Sequence, residues 1–289
     1  MAESPAHRFG QLIGNLLEEL VESFLLEFAN RNRLYLDYQK RLRTARKGKK
    51  VTWEDSYGNV HDLDFVLERG GNDDVLGTPV AFIEVAWRRY TKHSRNKVQE
   101  IQGAILPLAE KHRWCNPFLG VVLAGVFTES SLEQLRSLGF HVLYISYDTI
   151  VDAFASGGID VAFDESTADS VFKKCVRKIE KAPGATMQVI KDRLGNENKA
   201  EIADFVASLK KRLERMIEKV LVIPLYGRSN EFSTIGDALS FLDEHSVSDG
   251  ADDFRKYEII ILFSNGDRVE GSFQEKSKVR EFLQFIARQ

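Results

Sequence analysis

The sequence predicts a mixed α/β fold over residues 1–160, then a helical linker region over 161–195 and an α+β region over 196–289. Three observations carry this expectation. Segments with apolar residues three and four apart take turns with segments of alternating or continuous apolar character, the periods of helix and strand. The run from Phe118 to Phe127 is continuously apolar, the pattern of a strand covered on both faces. Near the C-terminus, Asn265-Gly266 joins Tyr257–Phe263 to Arg268–Phe273 as a hairpin, because this pair tolerates the positive φ angles the turn needs.

The elements follow in order. From Phe9 to Ala29, Leu12, Ile13, Leu16, Leu20, Phe24 and Phe28 repeat at helical spacing, with Glu18, Glu19, Glu22 and Glu27 on the polar side. Residues 31–50 are rich in Lys and Arg, with Tyr35 and Tyr38 interleaved; such a run is either a solvated stretch or a grip for phosphates. Val51–Tyr57 reads as a strand, Gly58-Asn59 as a turn and Val60–Leu67 as a second strand. After a Gly- and Asp-rich loop comes an apolar strand through residue 84, then a helix over 94–110. Thr128 caps a short helix that Gly139 ends, His141–Ile145 is a strand, and Asp148 opens a helix to Phe154. Glu165–Lys181 and Asn196–Val220 read as charged helices, with a boundary over Pro183–Asn196. Leu221–Tyr226 is a strand, and Ile235–Glu244 and Ser277–Ala287 are helices.

Composition narrows the function. Of the residues, 43% are hydrophobic and 29% charged, and the net charge of −3 excludes a protein coated in positive charge while allowing a local basic groove. The two cysteines lack metal-type spacing, so neither a disulfide framework nor a zinc ribbon is expected. With neither the layout of a signal peptide nor an apolar run of spanning length, the expected location is the cytoplasm, with no membrane partner.

The chemistry concentrates between His61 and Gln102. Asp62 and Asp64 share one face of their expected strand, and Glu84 shares a face with Val80, Phe82 and Ala86 in the next. A carboxylate within an apolar strand is costly to bury unless a cation or hydrogen-bond donors compensate it. Asp64 and Glu84 are therefore either salt-bridged strand acids or ligands of a hard divalent cation such as Mg²⁺.

On these residues, the stretch 9–150 resembles the PD-(D/E)xK nuclease superfamily, and more narrowly a type II restriction endonuclease. The resemblance implies a restriction-endonuclease-like αβββαβ core that hydrolyses the phosphodiesters of double-stranded DNA with Mg²⁺, for which Mn²⁺ substitutes. Asp64 matches the metal-binding acid, with Leu63 where proline is usual, and Glu84 matches the acid of the ExK half-motif. The lysine belongs at position 86, where this chain has Ala86. Either the amine has moved, to Lys97 or Lys92, or the protein is a non-catalytic binder that kept the fold. Lys97 lies four residues before Ile101 on the face of its helix that carries Ile101, Ala104, Ile105 and Leu108. Glu100 is a further metal ligand or a partner for Lys97, and Glu18 matches the acidic helix residue that often completes such sites. Arg88, Arg89, Lys92, His93 and Arg95 are placed to hold backbone phosphates, with Gln99 as a further DNA contact and Arg43 and Lys47 from the basic run. Cleavage of both strands by two active sites implies a homodimer.

Overall fold

Helix α1 (Pro5–Arg31) begins where the Ser4 hydroxyl accepts the His7 N–H at 3.2 Å, with Pro5 in the first turn, where its missing donor costs nothing. Its buried stripe includes Phe9, Ile13, Leu17, Val21 and Leu25, so the helix lies along the sheet. This arrangement comes from a computed structural model, which describes residues 4–46, 48–91, 94–224, 228–244 and 255–288. Two compact units result: 1–111 with 117–209, and 112–116 with 210–289.

The first unit is built on a five-stranded mixed sheet. Its order is β1 (Tyr35–Tyr38), β4 (Phe65–Arg69), β5 (Thr78–Arg88), β6 (Phe118–Gly125) and β7 (His141–Ser146). β1, β4 and β5 run antiparallel, whereas β5, β6 and β7 run parallel. Helix α1 packs on β5, and α2 (Ser94–Lys111) and α3 (Glu129–Ser137) lie in the layer where Phe82, Ala86, Val121 and Leu123 meet Val98 and Ile105. Each such fully buried aliphatic or aromatic side chain contributes roughly 1.5–3 kcal/mol. Thr128 caps α3 and Gly139 follows it at φ +85°, as the sequence predicts.

Several expectations change. The strand expected over Val60–Leu67 is two strands, β3 (Val60–Leu63) and β4, parted at Asp64. β3 pairs with β2 (Val51–Glu54) as a separate two-stranded ribbon, while β4 joins the central sheet, and a single straight strand cannot serve both. The basic run contains β1, whose Tyr35, Leu36 and Asp37 are buried. The expected boundary over 183–196 is helix α6 (Gly184–Glu197), because Ile190 and Leu194 provide an i, i+4 buried pair amid polar neighbours. It follows α4 (Tyr147–Ser156) and α5 (Asp169–Glu180) and precedes α7 (Lys199–Leu213); the first unit therefore runs to Leu209, past the expected break at 195. The helix expected to reach Val220 ends at Leu213, since Ile217 and Val220 lie in β8 (Ile217–Pro224).

The second unit is an antiparallel sheet in the order β11 (Arg268–Phe273), β10 (Tyr257–Phe263), β8 and β9 (Asn230–Phe232). Helices α8 (Ile235–Glu244) and α9 (Lys276–Ala287) bury one face, with Ile259, Ile261, Ala238 and Leu283 in the core. The hairpin forms as expected, but of the Asn-Gly pair only Gly266 takes a positive φ, +87°, so the β10–β11 turn uses one left-handed residue rather than two.

Candidate functional site

The register of β4 against β5 pairs Phe65 with Ile83 and Val66 with Phe82. Carried one residue further, it sets Asp64 across from Glu84, at the point where the chain leaves the ribbon for the sheet. The two acids are tied to each other's strands: the Val85 N–H donates to Asp64 Oδ2 at 2.7 Å, and the Asp64 N–H donates to Glu84 Oε1 at 3.2 Å. Glu84 is 7% exposed.

Burial pushes the Asp64 carboxyl above the usual carboxylate range, against the Val85 N–H and the charge of Lys97, which favour ionisation. Glu84 is raised well above its usual range, by burial first and then by the charge of Asp64, with Lys97 opposing. Lys97 thus acts on both carboxyls from α2, its side chain 21% exposed. Glu18 of α1 joins the group electrostatically: burial and then Asp64 raise its carboxyl to about 6.

Because the folded-state pKa of Glu18 lies above the unfolded value, the folded protein binds more protons between about 4.5 and 6. This group's contribution to stability therefore falls as pH rises through that window. Glu18→Gln is expected to flatten the decline in thermal midpoint between pH 4.5 and 6.5; an unchanged profile would show that Glu18 sits at an ordinary pKa.

The other expected site residues divide. Glu100 faces cations: its carboxylate lies 3.6 Å from Lys97 and 3.9 Å from Arg88, with the side chain 61% exposed. Among the described residues no three His, Cys, Asp or Glu side chains group closely enough to hold a metal. Arg88, half-buried beside the site, donates to the Trp87 carbonyl at 2.8 Å. Arg95 and Gln99 are exposed on α2. Arg89, expected on a phosphate, is turned inward: its guanidinium stacks over the rings of Tyr90 and Phe172 at 4.3 and 4.2 Å, with Nε and Nη1 buried. Arg43 is likewise internal, bonded to Asp37 and Glu68 with no exposed side-chain surface. Periodicity hides this, since a basic run reads as surface until β1 brings Asp37 into it. Lys92 and Lys47 lie outside the described residues. Asp62 is exposed on the ribbon and pairs with Lys50.

The sequence reading did not assign Lys40 to the site. With Glu18, Glu22, Tyr38 and Asp64 it lines a recess on the α1 side of the acid pair, and its amine lies 3.3 Å from Glu19. The signal for it was Tyr35-Leu36-Asp37-Tyr38, a short strand hidden in the basic run.

The residues fit a hard divalent cation. The buried Glu84, the partly buried Asp64 and the raised Glu18 are met by Lys97 and, on the Glu18 side, by Lys40, and all the donors are oxygen. Mg²⁺ needs no more, since it is commonly held by one or two carboxylates with water and substrate phosphate completing its shell. Asp64 and Glu84 are the residues that would hold it.

No family model and no curated protein matches the chain. Among solved structures it aligns with AF1548, a protein of unknown function, at 9% identity and a TM-score of 0.28, over 67% of this chain and 97% of that one. That likeness is too slight to carry an argument about either fold or activity. Among the described residues no helix is long and apolar enough to cross a membrane. The chain is a mixed α/β protein whose central sheet is flanked by helices and carries the Asp64–Glu84 acid pair under the charge of Lys97.

Proposed function

We propose that this chain is a Mg²⁺-dependent endonuclease of the restriction type, with a PD-(D/E)xK-like core, acting in the cytoplasm as a homodimer on double-stranded DNA. The observation that supports this most is the pairing of Asp64 with Glu84 under the charge of Lys97. The sum of buried negative charge is otherwise a cost to folding without a purpose. A bound Mg²⁺ would supply a water of lowered pKa and offset charge on the phosphoryl group.

The chain's own residues do the rest. Asp64 and Glu84 hold their carboxylates in place through the backbone N–H bonds of Val85 and Asp64, so little reorganisation is needed when substrate arrives. Lys97 Nζ positions the attacking water and balances charge on the non-bridging phosphate oxygen, the role of the lysine whose usual place Ala86 fills. Exposed Arg95 and Gln99, on the same helix, meet the backbone alongside. As water adds to phosphorus and gives up a proton to solvent, the P–O bond to the leaving sugar oxygen breaks and that oxygen takes up a proton from solvent water.

Plasmid cleavage with Mg²⁺ or Mn²⁺, on unmodified and methylated DNA, tests this directly. Lys97→Met is expected to slow cleavage by about 10²–10³-fold while DNA binding persists, with partial rescue by Lys97→Arg. Unchanged cleavage by the methionine variant would remove Lys97 from the chemistry.

Ala86 favours a second reading. Its side chain is buried in the apolar layer with Val98 and Ile101, so no amine reaches the acid pair from the usual strand position. A chain that bound DNA but cut none of these substrates would be the non-catalytic accessory protein of a defence system.

A further inference from the structure

Away from the acid pair, the first unit has a recess of about 430 Å³ where the end of α4, the end of α5 and the start of α6 meet. Its size falls within the roughly 300–1,000 Å³ of small-molecule sites. None of its lining residues belongs to the Asp64–Glu84 site.

Two kinds of surface line it. Arg177, Lys178 and Lys181 supply three cations, and Ala182 and Pro183, above the buried Ile159, supply apolar surface. Among the described residues, Arg177 and Lys181 have no acidic partner within ion-pair distance, and the nearby acid, Glu180, is taken by Arg8 at 2.8 Å. Lys178 Nζ donates to the Gly158 carbonyl, which neutralises none of its charge. Three like charges held within one or two helical turns repel each other, and the carbonyl end of α5, where Arg177 and Lys178 lie in the last turn, offsets that only in part. An anion relieves it, and the apolar surface is suited to an organic body attached to that anion.

We infer that the recess is a binding site for a small organic phosphate of nucleotide size, its phosphate on Arg177 and Lys181 and its ring against Ala182 and Pro183. Inorganic phosphate would satisfy the cations alone, whereas the nucleotide also covers the apolar surface. The inference is independent of the nuclease reading, because it uses no residue of that site.

Calorimetric titration of the full chain with adenosine monophosphate, and separately with inorganic phosphate, tests it. Saturable nucleotide binding, at least about tenfold tighter than inorganic phosphate, is expected. Arg177→Glu and Lys181→Glu, both at exposed positions, should weaken it by about tenfold or more with an unchanged thermal midpoint, while Glu84→Gln binds as the parent does. Absence of saturable binding below about 1 mM would overturn the inference. So would equal affinity for the two ligands, loss of binding in Glu84→Gln but not in Arg177→Glu, or displacement of the nucleotide by an equimolar DNA duplex, which would assign the recess to the DNA path.

Discussion

Asp64→Asn and Glu84→Gln are expected to abolish metal-dependent DNA cleavage and, without divalent ions, to make the folded protein more stable than the parent at pH 7–8. The two effects share one cause. Both carboxyls are raised by burial, so their ionised forms cost stability at neutral pH, where the unfolded chain carries them ionised without penalty. An amide of nearly the same shape keeps an oxygen for the Val85 or Asp64 N–H and removes the charge. The gain should be about 1 kcal/mol or more, which moves the thermal midpoint by roughly 2–4 °C per kcal/mol. Removing a group that holds the metal should cost more than the roughly 10–100-fold typical of residues one step further out. Mg²⁺ should raise the midpoint of the parent and not of the variants, by mass action on the folded state. If the variants cut DNA normally, or melt lower than the parent without metal, the acid pair is a structural hydrogen-bonded pair and the nuclease proposal loses its main support.

Arg43→Met is expected to destabilise the protein by about 3–5 kcal/mol, a large share of the 5–15 kcal/mol typical of a folded domain. The guanidinium is enclosed by Asp37 and Glu68, both fully buried, and reaches the carbonyls of Asn72 at 3.0 Å and Val75 at 2.7 Å. It thereby ties the loop after β4 to the segment after β1. Loss of the cation strands Glu68, which keeps the Gly77 N–H at 2.6 Å, while Asp37 retains Arg46 at 3.0 Å. Arg43→Lys should recover little, because the planar fork bonds Glu68 through two nitrogens at once. Urea unfolding measures the loss. A variant of parental stability with weakened DNA binding would return Arg43 to the phosphate-contact role that the basic run suggests.

The legible parts of the site were those that depend on local pattern. Asp64 and Glu84 stand out because each interrupts an apolar strand, and Lys97 because it precedes Ile101 by one helical turn. The illegible parts depend on partners distant in sequence. Arg89 and Arg43 look alike from sequence, as cations in basic runs; one stacks on Phe172 and the other meets Glu68. Glu100 read either as a ligand or as a partner for Lys97, and its carboxylate lies within ion-pair distance of Lys97 and Arg88.

By itself the sequence determined most helices and strands, the hairpin at Asn265-Gly266 and the acids to watch, since periodicity and turn chemistry act over a few residues. Only the tertiary structure decided that the chain parts at Asp64, because two sheets compete for the residues on either side of it. It alone brought Asp64, Glu84, Glu18 and Lys97 from four separate parts of the chain to one place, and it alone sorted the cations into buried clamps and exposed side chains. Burial and charge pairing are properties of neighbours in space, and a linear pattern specifies neighbours only within an element.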